Sequence, residues 1–193
     1  MFNYQAVKRI LDFSAALIAI LLIWPFFLVI MLAVALDSKG PVFFVQKRVK
    51  KDKKLFNIYK FRTMRTDTPK DLATDLLVNP QFYMTGVGRF LRKYSLDELP
   101  QLFNILRGDM SVVGPRPALF NQYDLIEERD KAGANSVRPG LTGWAQINGR
   151  DELTYKQKAE YDGEYVKRMS FGFDLKCCLL SVGNVFSHKG VRL

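Results

Sequence analysis

FSAALIAILLIWPFFLVIMLAVAL, residues 13–36, contains no charged side chain. It is as long as a membrane-crossing helix requires, about 20 residues for a hydrocarbon core roughly 30 Å thick. A chain carrying it meets a lipid bilayer. The run exceeds the apolar region of an ordinary signal peptide, and no small-x-small cleavage site precedes the charged part, which argues against its removal. Pro25 stands near its middle, where a proline removes a backbone hydrogen bond and crowds the preceding turn. The two apolar arms are then roughly 18 Å each at 1.5 Å per residue, and neither crosses alone. Lys8 and Arg9 precede the run, and Lys39, Lys47, Arg48, Lys50 and Lys51 follow it. By the positive-inside tendency both ends prefer the cytoplasmic face. A re-entrant helix over residues 4–36, broken at Pro25, satisfies both observations. A tilted, kinked span satisfies the length, and on these grounds the two stay open.

The 193 residues suit a single domain, with residues 37–193 as its part outside the membrane helix. Lysine and arginine outnumber aspartate and glutamate by 29 to 19, so the chain carries a formal charge of +10. That implies an anionic partner: nucleic acid, anionic lipid or a phosphorylated substrate. Cys177 and Cys178 are adjacent, which rarely suits a structural disulfide, and one histidine, His188, does not complete a zinc site with them. They read as small apolar residues in a reducing compartment. A histidine-based hydrolase would rest on His188 alone, in a polar tail, which argues against one.

After the turn at residues 37–41, VFFVQKRV and LFNIYKFRTM flank the charged connection KKDKK, the pattern of a β-hairpin. Lys60 and Arg62 lie two apart on the second run, so they form a pair of cations on one face. A solvated basic edge that resists aggregation is the plain alternative. From Thr66 to Asn79 the chain is polar, a loop with a short helix.

Ser95 to Gln101 read SLDELPQ. Ser95 and Glu98 have the spacing of a capping box, with a helix running to about Leu106 and stopping at Gly108. Leu96, Leu99, Leu102, Phe103 and Leu106 form its apolar stripe, and at 100° per residue Asp97 falls nearly opposite, in line with Gln101 and Asn104. The acidic pair is therefore expected to face away from the core. First-turn carboxylates complement the helix dipole, and Glu98 has a sufficient role in closing the box. Against that plain account, Pro100 comes too late for the first helical position, and Arg89, Arg92 and Lys93 crowd the approach. A carboxylate at a helix start, with a second able to hold Mg²⁺, also suits phosphoryl chemistry.

Downstream, Arg116 sits between Pro115 and Pro117, so a stiff backbone presents its guanidinium, as bidentate phosphate recognition wants. RPGLTGWAQINGR, which contains Gln146 and ends at Arg150, reads as an ordered loop of the kind that carries binding groups. Two helices follow, a polar one from about Thr154 to Arg168 and an amphipathic one from about Asp174 to Phe186. The latter's stripe of Leu175, Cys178, Leu179, Val182, Val185 and Phe186 belongs either to the core or to a membrane interface. No dinucleotide fingerprint, P-loop or zinc-finger spacing is present.

Taken together, GPVFFVQKRV, KFRTM, SLDELPQLFNILRGDMSVVGPRP and RPGLTGWAQINGR resemble the bacterial sugar transferase family, the small monotopic phosphoglycosyl transferases, over nearly the whole chain. The resemblance implies an α/β fold, mostly helical with a small β-hairpin. A re-entrant membrane helix broken at Pro25 and interfacial amphipathic helices would carry a compact catalytic part on the cytoplasmic face of the bacterial inner membrane. It further implies that Asp97 is the nucleophile and Glu98 a Mg²⁺ ligand. Asp97 would displace UMP from a UDP-sugar, and undecaprenyl phosphate would take the phosphosugar from it in a ping-pong reaction. Arg116, Lys60, Arg62, Arg92, Arg150 and Gln146 are the expected substrate-binding residues. Two departures stand out: lysines and Asp52 fill a hairpin connection where the family commonly has glycines, and Trp24 precedes Pro25 where a small residue is frequent.

Anionic membrane lipids are further expected partners, and a homodimer is compatible with the sequence. The rival classes are a membrane-anchored binder of nucleic acid or anionic lipid, and a phosphatase-like enzyme releasing its aspartyl intermediate to water. The basic residues lack the long runs and aromatic platforms of nucleic-acid binders, so no nucleic acid is expected.

Overall fold

The computed structural model describes residues 4–69 and 79–187. Its first element, α1 (Tyr4–Asp37), is one helix with Pro25 inside it. Helical backbone thus continues through Pro25, where the proline removes one donor. By length and composition α1 is sufficient to cross a membrane, and only 11% of its most apolar stretch is buried. Ile10, Leu17, Leu21, Trp24, Val29, Leu32 and Leu36 are among the apolar side chains it exposes.

The expected hairpin forms from β1 (Phe43–Val49) and β2 (Leu55–Phe61), antiparallel, with Phe43 opposite Phe61 and Val49 opposite Leu55. In the connection Asp52 and Lys53 adopt left-handed backbone, φ 58° and 57°, the conformation for which glycine is the easy choice. The turn keeps its geometry at a conformational cost, and Lys53 Nζ meets Asp130 at 2.7 Å across it.

Beyond the polar stretch, whose residues 70–78 lie outside the described residues along with His188, come α2 (Gly86–Lys93) and α3 (Gln101–Arg107). A short parallel pair follows, β3 (Ser111–Val113) with β4 (Gly140–Thr142), and between these strands lies α4 (Tyr123–Lys131). The segment expected to be a loop is thus strand β4 and one helical turn, α5 (Trp144–Ile147). Apolar periodicity could not reveal elements of three and four residues. The chain ends with α6 (Tyr155–Arg168), capped by Thr154 and Gln157 in a capping box, and α7 (Phe171–Ser187).

Two apolar clusters join the membrane helix to the rest. Ala16 of α1 packs with Phe56, Ile58, Leu102, Ile105 and Met110, and Phe27 and Val34 pack with Phe61 and Leu91. Burying a phenylalanine such as Phe61 contributes about 2–3 kcal/mol. A third cluster, Val113, Tyr165, Phe173 and Cys177, seats α6 and α7 on β3. In α7 the buried face is Phe173 and Cys177, while Leu175, Leu179 and Val182 of the expected stripe are exposed. Both cysteines are free, as expected.

Candidate functional site

The acidic pair sits on one turn of 3₁₀ helix, Leu96–Glu98, that joins α2 to α3. Ser95 is in the left-handed region, φ 55°, and its side chain caps nothing. A capping residue needs extended backbone, so the expected box does not form. The α-helix begins only at Gln101, after Pro100, which resolves that proline's position: it precedes the first helical residue. Gly108 closes α3 in left-handed geometry, as expected.

Nor does the pair face away from the core: Asp97 and Glu98 are each only 7% exposed. The polar face of α3 is buried against β2 because Asn104 acts there as a substitute backbone. Its Oδ1 accepts from Tyr59 N at 3.1 Å and its Nδ2 donates to Asn57 O at 2.8 Å. Anchoring α3 in this way holds the acidic turn beside β2 and Lys60.

Lys60 Nζ lies 2.7 Å from Glu98 Oε1 and 4.0 Å from Asp97 Oδ2. Arg116 Nη2 donates to Glu98 Oε1 at 2.8 Å, with Nη1 3.5 Å from Oε2. Arg116 is carried there by the chain leaving β3, and close backbone approach fixes that chain: a Cβ on Gly140 would come within 2.1 Å of Gly114 N. Arg92, on α2, donates from Nε to Thr63 Oγ1 at 2.9 Å. Arg150 follows α5 and leaves Nε without a partner among the described residues; Gln146 leaves Oε1 likewise.

These residues line a cavity of about 180 Å³ together with Arg48, Gln122, Arg129, Asp151 and Lys158. Seven cationic side chains face three carboxylates around it. Of the expected site residues, Asp97, Glu98, Lys60, Arg92, Arg116, Gln146 and Arg150 are brought together here. Arg62 is not. Its guanidinium donates to the carbonyls of Lys39, at 2.8 Å, and Ser38, so it closes the C-terminal end of α1. The two-residue spacing that paired it with Lys60 is interrupted because β2 ends at Phe61.

The two carboxylates differ in charge tendency. Burial pushes Asp97 above the ordinary aspartate range, with Glu98 adding to it and the charge of Lys60 opposing. Burial acts on Glu98 too, but Arg116 and Lys60 outweigh it and hold that carboxyl well below its ordinary value. Burial also lowers Lys60, Arg92 and Arg150. Asp97 is thus an under-compensated carboxylate beside a fully compensated one, an arrangement suited to nucleophilic attack.

Among the described residues no three histidine, cysteine or acidic side chains cluster to hold a metal by themselves. The adjacent carboxylates of Asp97 and Glu98 are of the kind that would fit Mg²⁺ bound with a diphosphate, since Mg²⁺ takes one or two carboxylates and completes its shell with water and phosphate oxygens. Glu98 Oε2, whose arginine neighbour is 3.5 Å away, keeps acceptor capacity for it.

Sequence reasoning missed Arg129 and Asp162. Arg129 Nη2 lies 2.7 Å from Asp162 Oδ2, and its Nη1 donates to Arg116 O at 2.8 Å. Both stand in polar helical sequence that reads as a solvated face, and no local signal marks them. Arg48, within the quoted hairpin motif, donates from Nη1 to Pro117 O at 3.0 Å.

The family model described as bacterial sugar transferase matches residues 3–188. A Bacillus subtilis protein named as an uncharacterized sugar transferase, EpsL, is 41% identical over 186 residues, 96% of this chain and 90% of the relative. The Escherichia coli UDP-glucose:undecaprenyl-phosphate glucose-1-phosphate transferase is 42% identical over 96% of this chain, which spans 41% of that protein. An Aeromonas hydrophila UDP-N-acetylgalactosamine-undecaprenyl-phosphate N-acetylgalactosaminephosphotransferase is 36% identical over 98% of this chain and 46% of its own length.

Proposed function

The chain belongs to the bacterial sugar transferase family, and from that premise we propose that it transfers a sugar 1-phosphate from a UDP-sugar to undecaprenyl phosphate, releasing UMP. The observation that carries this reading is the buried Asp97–Glu98 pair set among cations at one cavity. Relatives named for the same reaction with UDP-glucose and UDP-N-acetylgalactosamine support it.

In the first half-reaction a carboxylate oxygen of Asp97 attacks the β-phosphorus. The bond from that phosphorus to the bridging oxygen breaks, and UMP leaves with the electron pair. Asp97 is left as an acyl phosphate bearing the sugar. In the second half-reaction a phosphate oxygen of the acceptor attacks the same phosphorus, the bond to Asp97 breaks, and Asp97 returns as a carboxylate. Arg116 and Lys60, beside the acidic pair, would offset charge developing on the transferring group, and the unpaired Nε of Arg150 and Oε1 of Gln146 would pair with substrate. Glu98, with the diphosphate oxygens, would hold Mg²⁺, which supplies charge neutralisation when bound.

The membrane reading is monotopic. Near the start of α1, Arg9 donates to Ile105 O at 2.6 Å and Leu106 O at 2.8 Å, and Asp12 accepts from Ser111. At its other end Asp37 accepts from Val87 N and Arg62 holds Ser38 and Lys39. Both ends are tied to the same body, so a bilayer core about 30 Å thick does not separate them readily. The exposed apolar faces of α1 and α7, with Phe90 of α2, then belong in or on one leaflet, at a cytoplasmic surface whose anionic lipids complement the +10 charge.

The test is UMP release from a panel of UDP-sugars by the protein in nanodiscs with Mg²⁺. A single-turnover burst without lipid and steady turnover with undecaprenyl phosphate are expected. Steady release of free sugar phosphate without lipid would favour hydrolysis instead.

A further inference from the structure

Asp97 lies between two cavities of different character. The first is the polar one described above. The second, about 420 Å³, has an apolar wall of Phe43, Val45, Phe61 and Met64 and a cationic one that includes Arg62 and Arg65, and it shares Arg48, Lys60, Arg92 and Asp97 with the first. Its wall continues toward the membrane helix through a file of rings. Phe43 stacks on Phe61 with centroids 5.5 Å apart, Phe61 meets Phe27 of α1 at 5.4 Å, and Phe27 meets Phe103 at 5.8 Å. The apolar wall of the cavity is thus continuous with the core packed against the lipid-facing helix, while Lys60 and Arg92 stand beside the carboxylate at its other side.

A third cavity, about 330 Å³, lies beside α7, lined in part by Leu96, Leu99 and Val182. It reaches Glu98 and Arg150 without Asp97. Only the first two therefore reach the atom on which both half-reactions turn. The polar one suits a nucleoside diphosphate. The other joins an apolar wall to a cationic end, the complement of a phosphomonoester on a long hydrocarbon chain.

Resting on the reading above, we infer that the cavity walled by Phe43, Val45 and Met64 seats the phosphate-proximal isoprene units of the polyprenyl phosphate acceptor. Lys60 and Arg92 draw its phosphate to Asp97. The acceptor then reaches the aspartyl phosphosugar from the membrane side of the hairpin while UMP leaves through the polar cavity. Val45 and Met64 touch only the hydrocarbon, so they influence the second half-reaction and not the first.

Two measurements test this. In the first, the full-length protein in phosphatidylethanolamine and phosphatidylglycerol nanodiscs is crosslinked to undecaprenyl phosphate carrying a diazirine on the isoprene unit next to the phosphate, with no donor present. Adducts on residues 43–45 or Met64 are expected, and adducts on Leu96, Leu99 or Val182 would overturn the assignment. In the second, Val45→Trp and Val45→Asp are compared with wild type. The lipid-free UMP burst should be unchanged, while KM for undecaprenyl phosphate rises about tenfold or more. Unchanged KM in both variants would overturn the inference. So would loss of the burst in a variant whose thermal unfolding is unchanged, because that outcome places the donor's sugar in the groove. Absence of a burst in the wild type would instead sink the proposed reaction, and the crosslinking map would still report where the lipid binds.

Discussion

Arg129 Nη1 donates a 2.8 Å hydrogen bond to the main-chain carbonyl of Arg116, and the same guanidinium is held 2.7 Å from Asp162 Oδ2 in an ion pair only 5% and 1% exposed. The pair joins α4 to α6, and through the carbonyl it sets the backbone from which Arg116 reaches Glu98. Arg129→Met alone should leave Asp162 buried without its cation and cost about 3–5 kcal/mol. Arg129→Met with Asp162→Leu should restore much of the unfolding midpoint yet still raise the donor KM about tenfold. A double variant with wild-type KM would show that the pair holds the fold and not Arg116.

Asp97→Asn should remove the labelled sugar-phosphate intermediate and lower turnover by about a thousandfold or more. Its stability should move the other way. Asp97 has a raised folded-state pKa, so its ionised form costs the fold free energy that grows as pH rises above the unfolded value. Replacing it with a neutral amide should leave the unfolding midpoint at pH 7 equal or higher. A lower midpoint would mean that the carboxylate's partners stabilise it more than burial costs.

Glu98→Gln should destabilise the protein, by about 3 kcal/mol, because Lys60 and Arg116 lose the charge that compensates them. Glu98 is held below its ordinary value, so its contribution is present above the unfolded pKa and is lost as pH falls toward the folded one. The variant's stability should therefore depend less steeply on pH on the acid side, as chemical denaturation across that range would read. Activity should be lost or its Mg²⁺ requirement raised. Wild-type metal dependence would remove Glu98 as a ligand.

The acid limb of kcat/KM for UMP release should lie above the ordinary aspartate range, since attack needs Asp97 ionised and burial raises its pKa. Lys60 opposes that rise, so Lys60→Met should move the limb to higher pH. A limb that does not move would mean another group sets it.

Cysteines placed ahead of Tyr4 and at Lys53 should both react with an impermeant maleimide only from the cytoplasmic side of sealed vesicles. Labelling on opposite sides would make α1 a span.

Much of this molecule was legible in its sequence. An uncharged run of 24 residues marked one long apolar helix, the hairpin followed from two β-rich runs around a charged connection, and the polar helix from about Thr154 and the Gly108 stop were placed correctly. These are local properties, decided by hydrophobicity, chirality and hydrogen bonds within a few residues. The expectations about the site that failed depended on partners distant in the chain. Ser95 and Glu98 have capping-box spacing, yet Glu98 turns to Lys60 and Arg116, which are 38 and 18 residues away and charged. Arg62 has the spacing to join Lys60, yet the chain leaving α1 offers it the carbonyls of Ser38 and Lys39, just past the helix end.

The sequence by itself therefore determined the long apolar helix, the hairpin, the last two helices and the acidic pair with most of its cations. Only the tertiary structure decided that the pair is buried, which carboxylate its cations neutralise, and that Arg129 and Asp162 stand behind Arg116. The physical reason is that a charge in low dielectric is governed by whatever lies within a few ångströms, and which groups come that close is set by packing across the whole chain.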